Sequence, residues 1–294
     1  MKIKHLLVLA IASMMVLPSC KKVEKAEPIK KDISVQLYSL RSLINAESPI
    51  DSLLPKLAAM GFTSVEAASY DDGKFYGKTP AEYKAVVEAN GLVPLSSHIN
   101  HGLSAEELAS GDFSEALKWW DQCIADHKAA GMQYIVTPWM GLQKSIHDLQ
   151  VYCDYLNAIG KKCAENGIQY GYHNHNYEYE KVEDQVMYDY MLEHTDPQYV
   201  FFQMDVYWTM RGGKSQVEYF KKYPGRFKLL HIKDECELGQ SGMVGYDAIF
   251  KNVKEAGTKH IVVEVERYSM PVLESIKESI DYLLQSDFVP ASYE

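Results

Sequence analysis

The sequence predicts an α/β fold in which one parallel sheet closes into a (β/α)8 barrel, and two observations predict it. Eight apolar, strand-like runs alternate with helix-like segments, and five helix-to-strand junctions share one glycine-centred pattern. The runs cover residues 33–38, 64–67, 93–99, 134–137, 168–172, 200–206, 227–232 and 260–265. Strands separated by helices imply parallel pairing, because a helical crossover brings the chain back to start the next strand in the same direction.

The junctions are Ala59-Met60-Gly61-Phe62, Ala89-Asn90-Gly91-Leu92, Ala129-Ala130-Gly131-Met132, Glu165-Asn166-Gly167-Ile168 and Glu255-Ala256-Gly257-Thr258. In each, a helix ends, glycine takes the left-handed backbone conformation, and a strand follows. Thr79-Pro80-Ala81-Glu82 has capping-box spacing with proline at the first helical position, so a helix starts there. No Gly-x-Gly-x-x-Gly follows the first run, which counts against an open dinucleotide-binding sheet.

Ahead of the barrel the chain carries an address. Lys2 and Lys4 precede an apolar run, Leu6 to Leu17, too short to span a bilayer comfortably, which reads as a secretion signal. It ends in Leu17-Pro18-Ser19-Cys20, which resembles a bacterial lipobox; residues 1–20 are then a leader, with Cys20 lipidated. Residues 21–32 are charged, lack an apolar face and read as a tether. Residues 33–290 form the single barrel domain. The expected place is the cell envelope, facing the periplasm, with the membrane touched only through the lipid.

The chain carries a formal charge of −10, and removing Lys2 and Lys4 with the leader deepens it, which argues against nucleic acid as a partner. Cys123, Cys153, Cys163 and Cys236 form no Cys-x-x-Cys pair and read as buried thiols.

In a barrel of this kind the C-terminal strand ends converge on the active site. Those ends carry Glu66; His98, with His101 beyond; His173 and His175; Asp205; His231, Lys233 and Asp234; and Glu264 and Glu266. Charged side chains are seldom buried without partners, so several at converging ends point to a site. Mixed His, Asp and Glu ligation suits Mn²⁺, Zn²⁺, Co²⁺ or Fe²⁺.

Five motifs, in this order, resemble the sugar phosphate isomerase/epimerase family, the xylose isomerase-like TIM barrels. They are Val35-Gln36-Leu37-Tyr38-Ser39-Leu40-Arg41, Gly171-Tyr172-His173-Asn174-His175, Asp205-Val206-Tyr207-Trp208, His231-Ile232-Lys233-Asp234 and Val263-Glu264. The resemblance implies a divalent metal held by His173, Asp205, His231 and Glu264. It implies proton transfer through an enediolate on a sugar or keto-sugar, with His175, Glu264 and Lys233 as catalytic groups. Glu66, His98, Glu178 and Trp208 are the candidate substrate contacts. Each of three has a plainer reading: Glu66 as a rim salt bridge, Glu178 as a solvated carboxylate, Trp208 as packing. Lys233 equally well pairs with Asp234 or Glu264.

His173 departs from the pattern, since many ketose epimerases of this superfamily carry glutamate there. An isomerase or epimerase acting on a non-phosphorylated sugar is the leading expectation. The alternatives are a lyase or hydratase acting on a 3-keto-glycoside or 2-hydroxy-glycal type substrate, and a non-catalytic carbohydrate-binding lipoprotein. Gly239 and Gly242 are the weak candidate for a phosphate cradle.

Overall fold

The computed structural model describes residues 30–45 and 49–293. The expected leader with Cys20, and most of the expected tether, lie outside these residues. The eight barrel strands are β1 (Ser34–Gln36), β2 (Ser64–Ala67), β3 (Val93–His98), β4 (Tyr134–Thr137), β5 (Gln169–His173), β6 (Val200–Asp205), β7 (Leu229–Ile232) and β8 (His260–Val263). All neighbours are parallel, and β1 pairs with β8 through Ser34 opposite Val262, which closes the barrel. The fold class is therefore the expected TIM barrel.

Helices α1 (Leu54–Met60), α2 (Pro80–Ala89), α3 (Ala105–Ser110), α4 (Ser114–Ala129) and α5 (Ile146–Glu165) serve the first half of the barrel. Helices α6 (Met187–His194), α7 (Val206–Arg211), α8 (Gln216–Lys222), α9 (Tyr246–Lys251), α10 (Val253–Ala256) and α11 (Val272–Gln285) serve the second. A short antiparallel ribbon, Lys181–Val182 with Gln185–Val186, interrupts the crossover after β5.

The five junction glycines all have positive φ, from 71° at Gly91 to 109° at Gly61. Thr79 and Glu82 form the expected capping box at the start of α2. The first strand is shorter than its apolar run: the Gln36 side chain accepts from Tyr38 N at 3.1 Å and turns the chain into a short 3-10 segment, Leu37–Leu40.

Two apolar layers result. The larger lies between strands and helices, and α5 comes close enough that a Cβ at Gly160 would stand 2.5 Å from the Tyr199 carbonyl oxygen. The smaller joins Leu95, Tyr134, Val136, Phe201 and Leu229, all on strands, and fills the barrel. Gly171 on β5 makes room for the Phe201 ring in it.

The last tether residues belong to the fold. Lys31 Nζ donates to Leu283 O at 2.9 Å and Ser286 O at 2.7 Å, capping α11. Asp32 pairs with His260 at 3.1 Å, and its backbone N–H donates to Ala291 O. The barrel domain thus begins ahead of residue 33 and continues to a buried Tyr293. Cys123, Cys153 and Cys163 are buried free thiols, whereas Cys236 is only half-buried.

Candidate metal centre and active site

The centre is built on a buried carboxylate. Glu66, at the end of β2, accepts from Gln36 Nε2 (2.8 Å), Ser96 Oγ (2.7 Å), Gln203 Nε2 (2.8 Å) and His231 Nε2 (2.6 Å), with His98 Nε2 at 3.1 Å. Burial opposes its ionisation, but His98, His231 and these hydrogen bonds outweigh burial and hold its pKa down at about 2. Glu66 is fully buried, so it is neither a rim salt bridge nor a substrate contact. It lies beneath the site and holds the imidazoles above it.

Gln203 Oε1 completes this floor, accepting from His98 Nε2 at 2.6 Å and lying 3.2 Å from His173 Nδ1. The rings of His98, His173 and His231 stand within 5.0 Å of one another, centroid to centroid. Because His231 spends Nε2 on Glu66, its Nδ1 is turned the other way, 3.4 Å from Glu264 Oε2. Burial alone would lower the His231 pKa, yet Glu66 and Glu264 raise it to about 10.

Asp205 arrives by a different route. It ends β6 and caps α7, its Oδ1 accepting from Trp208 N at 2.8 Å. Asn174, on the stretch leaving β5, fixes the Asp205 backbone through Oδ1 at 3.2 Å. The other carboxylate oxygen, Oδ2, is buried and has no hydrogen-bond partner among the described residues, and the same holds for His231 Nδ1. Burial pushes the Asp205 carboxyl up to about 7 despite Lys233 and His231 nearby.

Asp205, His231 and Glu264 each offer one ligand atom within 4.8 Å of the others. A buried carboxylate oxygen and a buried ring nitrogen, both without a partner and beside the Glu264 carboxylate, fit a divalent cation, which would take the place of the ring proton and supply the partner these atoms lack. Three of the four sequence-predicted ligands thus come together. His173 does not join them: with Nδ1 facing Gln203 it groups with His98 and His231 instead.

Lys233 settles on Glu264, at 3.1 Å, and on Glu266, not on Asp234. It is buried beneath Trp208, whose ring centre is 5.5 Å from its ammonium. Burial disfavours both charges, but Lys233 and His231 hold Glu264 well below the usual carboxylate range. Trp208 packs half-buried over this pair and 5.8 Å from the His175 ring. Glu178, expected at the substrate or in solvent, is fully buried, accepting from Tyr172 Oη and from His175 N, both at 2.8 Å. It braces the His175 backbone. His175 lies 5.1 Å from His173, centroid to centroid, and burial lowers its pKa to about 4, leaving a neutral ring whose Nδ1 is unpartnered. His101 stacks on Trp119 at 4.4 Å, away from the centre.

Above these groups opens a cavity of about 410 Å³ lined by His98, His173, His175, Glu264 and Glu266, with Tyr38 and Trp139 at its edge. Sequence reasoning missed Gln36, Ser96 and Gln203 in the floor and Trp139 at the rim. The signal for the first three was polarity inside otherwise apolar strands; for Trp139 it was a tryptophan two residues past the end of β4.

A family model described as xylose isomerase-like TIM barrel matches residues 54–286. A crystal structure of a sugar phosphate isomerase/epimerase from Parabacteroides distasonis is 33% identical, with a TM-score of 0.81, covering 88% of this chain and 100% of that one. The inosose dehydratase of Geobacillus kaustophilus is 22% identical over 200 residues, 63% of this chain; the match spans 61% of that relative's length. The crystal structure of IolI protein with a bound zinc atom shares the fold at 15% identity, with a TM-score of 0.67, covering 88% of this chain and 98% of that one.

Proposed function

Because the chain belongs to the xylose isomerase-like TIM barrel family, we propose that it is a divalent-metal-dependent isomerase or epimerase that moves a proton beside the carbonyl of a non-phosphorylated sugar or keto-sugar. The observation that carries this reading is the pair of buried orphaned atoms, Asp205 Oδ2 and His231 Nδ1, beside the Glu264 carboxylate. Asp205, His231 and Glu264 would hold the ion, with His173 alongside. Bound there, Mn²⁺, Zn²⁺, Co²⁺ or Fe²⁺ would polarise a carbonyl and acidify the adjoining C–H.

The chain's own residues divide the remaining work. Glu264 reaches the cavity as an ionised carboxylate and is the base that takes the proton. Lys233 fixes that carboxylate and keeps it charged. His175, neutral and lining the same cavity, exchanges the proton at the second carbon or oxygen, with Glu178 holding its backbone in place. The imidazole of His173 stands where a second carboxylate base is found in many ketose epimerases, so proton return falls to His175.

Two features support a substrate without phosphate. Among the described residues, no lysine or arginine lines the cavity. The loop after β7 spends its donors on the chain's own Asp234, which accepts from Glu235 N at 2.8 Å, from Gly239 N at 3.0 Å and from the Ser241 hydroxyl. Gly239 and Gly242 therefore do not frame a phosphate cradle.

A second reading is a lyase or hydratase on a 3-keto-glycoside or 2-hydroxy-glycal type substrate. Glu264 would remove the same proton and His175 would protonate a departing oxygen; the similarity to a dehydratase favours it. Elemental analysis of wild type, His231→Ala and Glu264→Ala tests the centre: near-stoichiometric metal in the first and its loss from both variants is expected. Keto-sugars incubated in D₂O then separate the chemistries, since exchange without loss of a leaving group supports the isomerase and elimination supports the lyase. A folded wild type that takes up no metal overturns both and leaves a carbohydrate-binding lipoprotein. In the same reading the protein is anchored in the cell envelope through Cys20, facing the periplasm, and Cys20→Ser should abolish labelling by radioactive palmitate.

A further inference from the structure

The cavity has two unlike regions. His98, His173, His175 and Glu264 stand at its floor, where Glu264 is only 6% exposed. Tyr38, Ala68, Pro138 and Trp139 supply a wall without carboxylate or imidazole, and here Trp139 is 53% and Tyr38 42% exposed. Five large hydrophobic side chains stand exposed among the described residues. Two of them line the cavity: Tyr38, in the 3-10 segment that follows β1, and Trp139, just past the end of β4. Isolated exposed apolar groups are ordinary, but two exposed aromatic rings in the wall of one cavity mark a binding surface.

Both rings are held in place yet left uncovered. Gln143 Nε2 ties the Trp139 loop by donating to Met140 O at 3.0 Å and Gly141 O at 3.1 Å, and Met140 is buried. Gly141, at φ 77°, lets the loop pass against the Trp139 ring, since a Cβ there would stand 3.5 Å from Cζ2. Tyr38 is backed by the Arg41 guanidinium 4.4 Å from its ring centre. Arg41 is in turn bound to Glu266 O at 2.7 Å and Tyr268 Oη at 3.0 Å. An aromatic face held rigidly toward solvent loses little freedom when a flat, partly apolar ring settles on it.

We propose that Tyr38 and Trp139 form an outer subsite for a second ring, so that the substrate is a keto-glycoside whose reacting, carbonyl-bearing sugar lies on the floor and whose attached sugar or aryl ring stacks at the rim. This rests on the sugar chemistry proposed above and names the class of substrate for it.

The test is equilibrium binding by calorimetry to the intact, metal-loaded protein. The probes are methyl glycosides, phenyl glycosides and disaccharides in matched gluco, galacto and manno series. Wild type should bind a two-ring probe about tenfold or more tighter than its methyl partner. Trp139→Ala should erase that preference while methyl-glycoside affinity stays within about twofold, and Tyr38→Ala should reduce it. A larger gain with the disaccharide or with the phenyl glycoside identifies the second ring, and either supports the subsite. Equal affinity for one and two rings, or a preference that survives Trp139→Ala in a protein with unchanged circular dichroism, overturns the subsite alone. Failure of every probe to bind wild type overturns the sugar reading together with it.

Discussion

Four donors converge on Glu66, with His98 close beside them, and the consequence is felt at His231: one ring nitrogen is committed downward, so the other is available to the centre. Removing that carboxylate leaves charged His231 buried without its partner. Glu66→Ala should therefore destabilise the fold by about 3–5 kcal/mol in urea unfolding, with Glu66→Gln clearly milder. The strand-end rule located Asp205, His231 and Glu264 because each sits where its strand meets the mouth. The same rule misjudged Glu66, because position along a strand says nothing of depth, and depth is set by side chains from distant strands such as Gln203. A second residue-scale effect lies on α4. His127 is buried, with Nδ1 2.6 Å from Cys123 O and Nε2 unpartnered, and burial lowers its pKa from 6.5 to about 4. A folded-state pKa below the unfolded one means the unfolded chain binds the proton more readily. Stability is thus intact above pH 6.5 and falls by on the order of 3 kcal/mol as pH drops toward 4. Urea unfolding of His127→Gln across that range should show a correspondingly flatter profile.

At the scale of elements, local signals were legible because they are local. Glycine at φ near 77° after α5, or threonine bonding back to the first turn of α2, depends on a handful of neighbouring residues. Thr79→Ala should lose about 1 kcal/mol in urea unfolding. Close approach between elements left no such mark. Gly160 is a helix-interior glycine that sequence alone reads as a mild weakness, yet it admits the Tyr199 carbonyl. Gly160→Ala should accordingly destabilise by about 1–3 kcal/mol, although alanine is the better helix former, and thermal unfolding checks the sign. The early turn out of β1 was hidden for the same reason: Leu37 and Leu40 are buried and apolar whether in a strand or in a 3-10 turn.

For the whole molecule, closure joins the first and last strands and brings the two ends of the described residues together at the base. Asp32 binds Thr63, His260 and the Ala291 carbonyl, while Lys31 holds the end of α11. Sequence composition marked these residues as tether because charge and lack of an apolar face say nothing of partners more than two hundred positions away. Asp32→Ala should cost about 1–3 kcal/mol and lower the thermal midpoint without altering the metal content, since its contacts are at the opposite end of the strands from Asp205 and Glu264.

That arrangement makes the barrel a cup whose handle is fixed under its foot. A fusion partner or bead joined directly at residue 30, where the described residues begin, takes hold on the side away from the opening. A layer of such cups attached at that residue would stand with their mouths outward, each one free to fill.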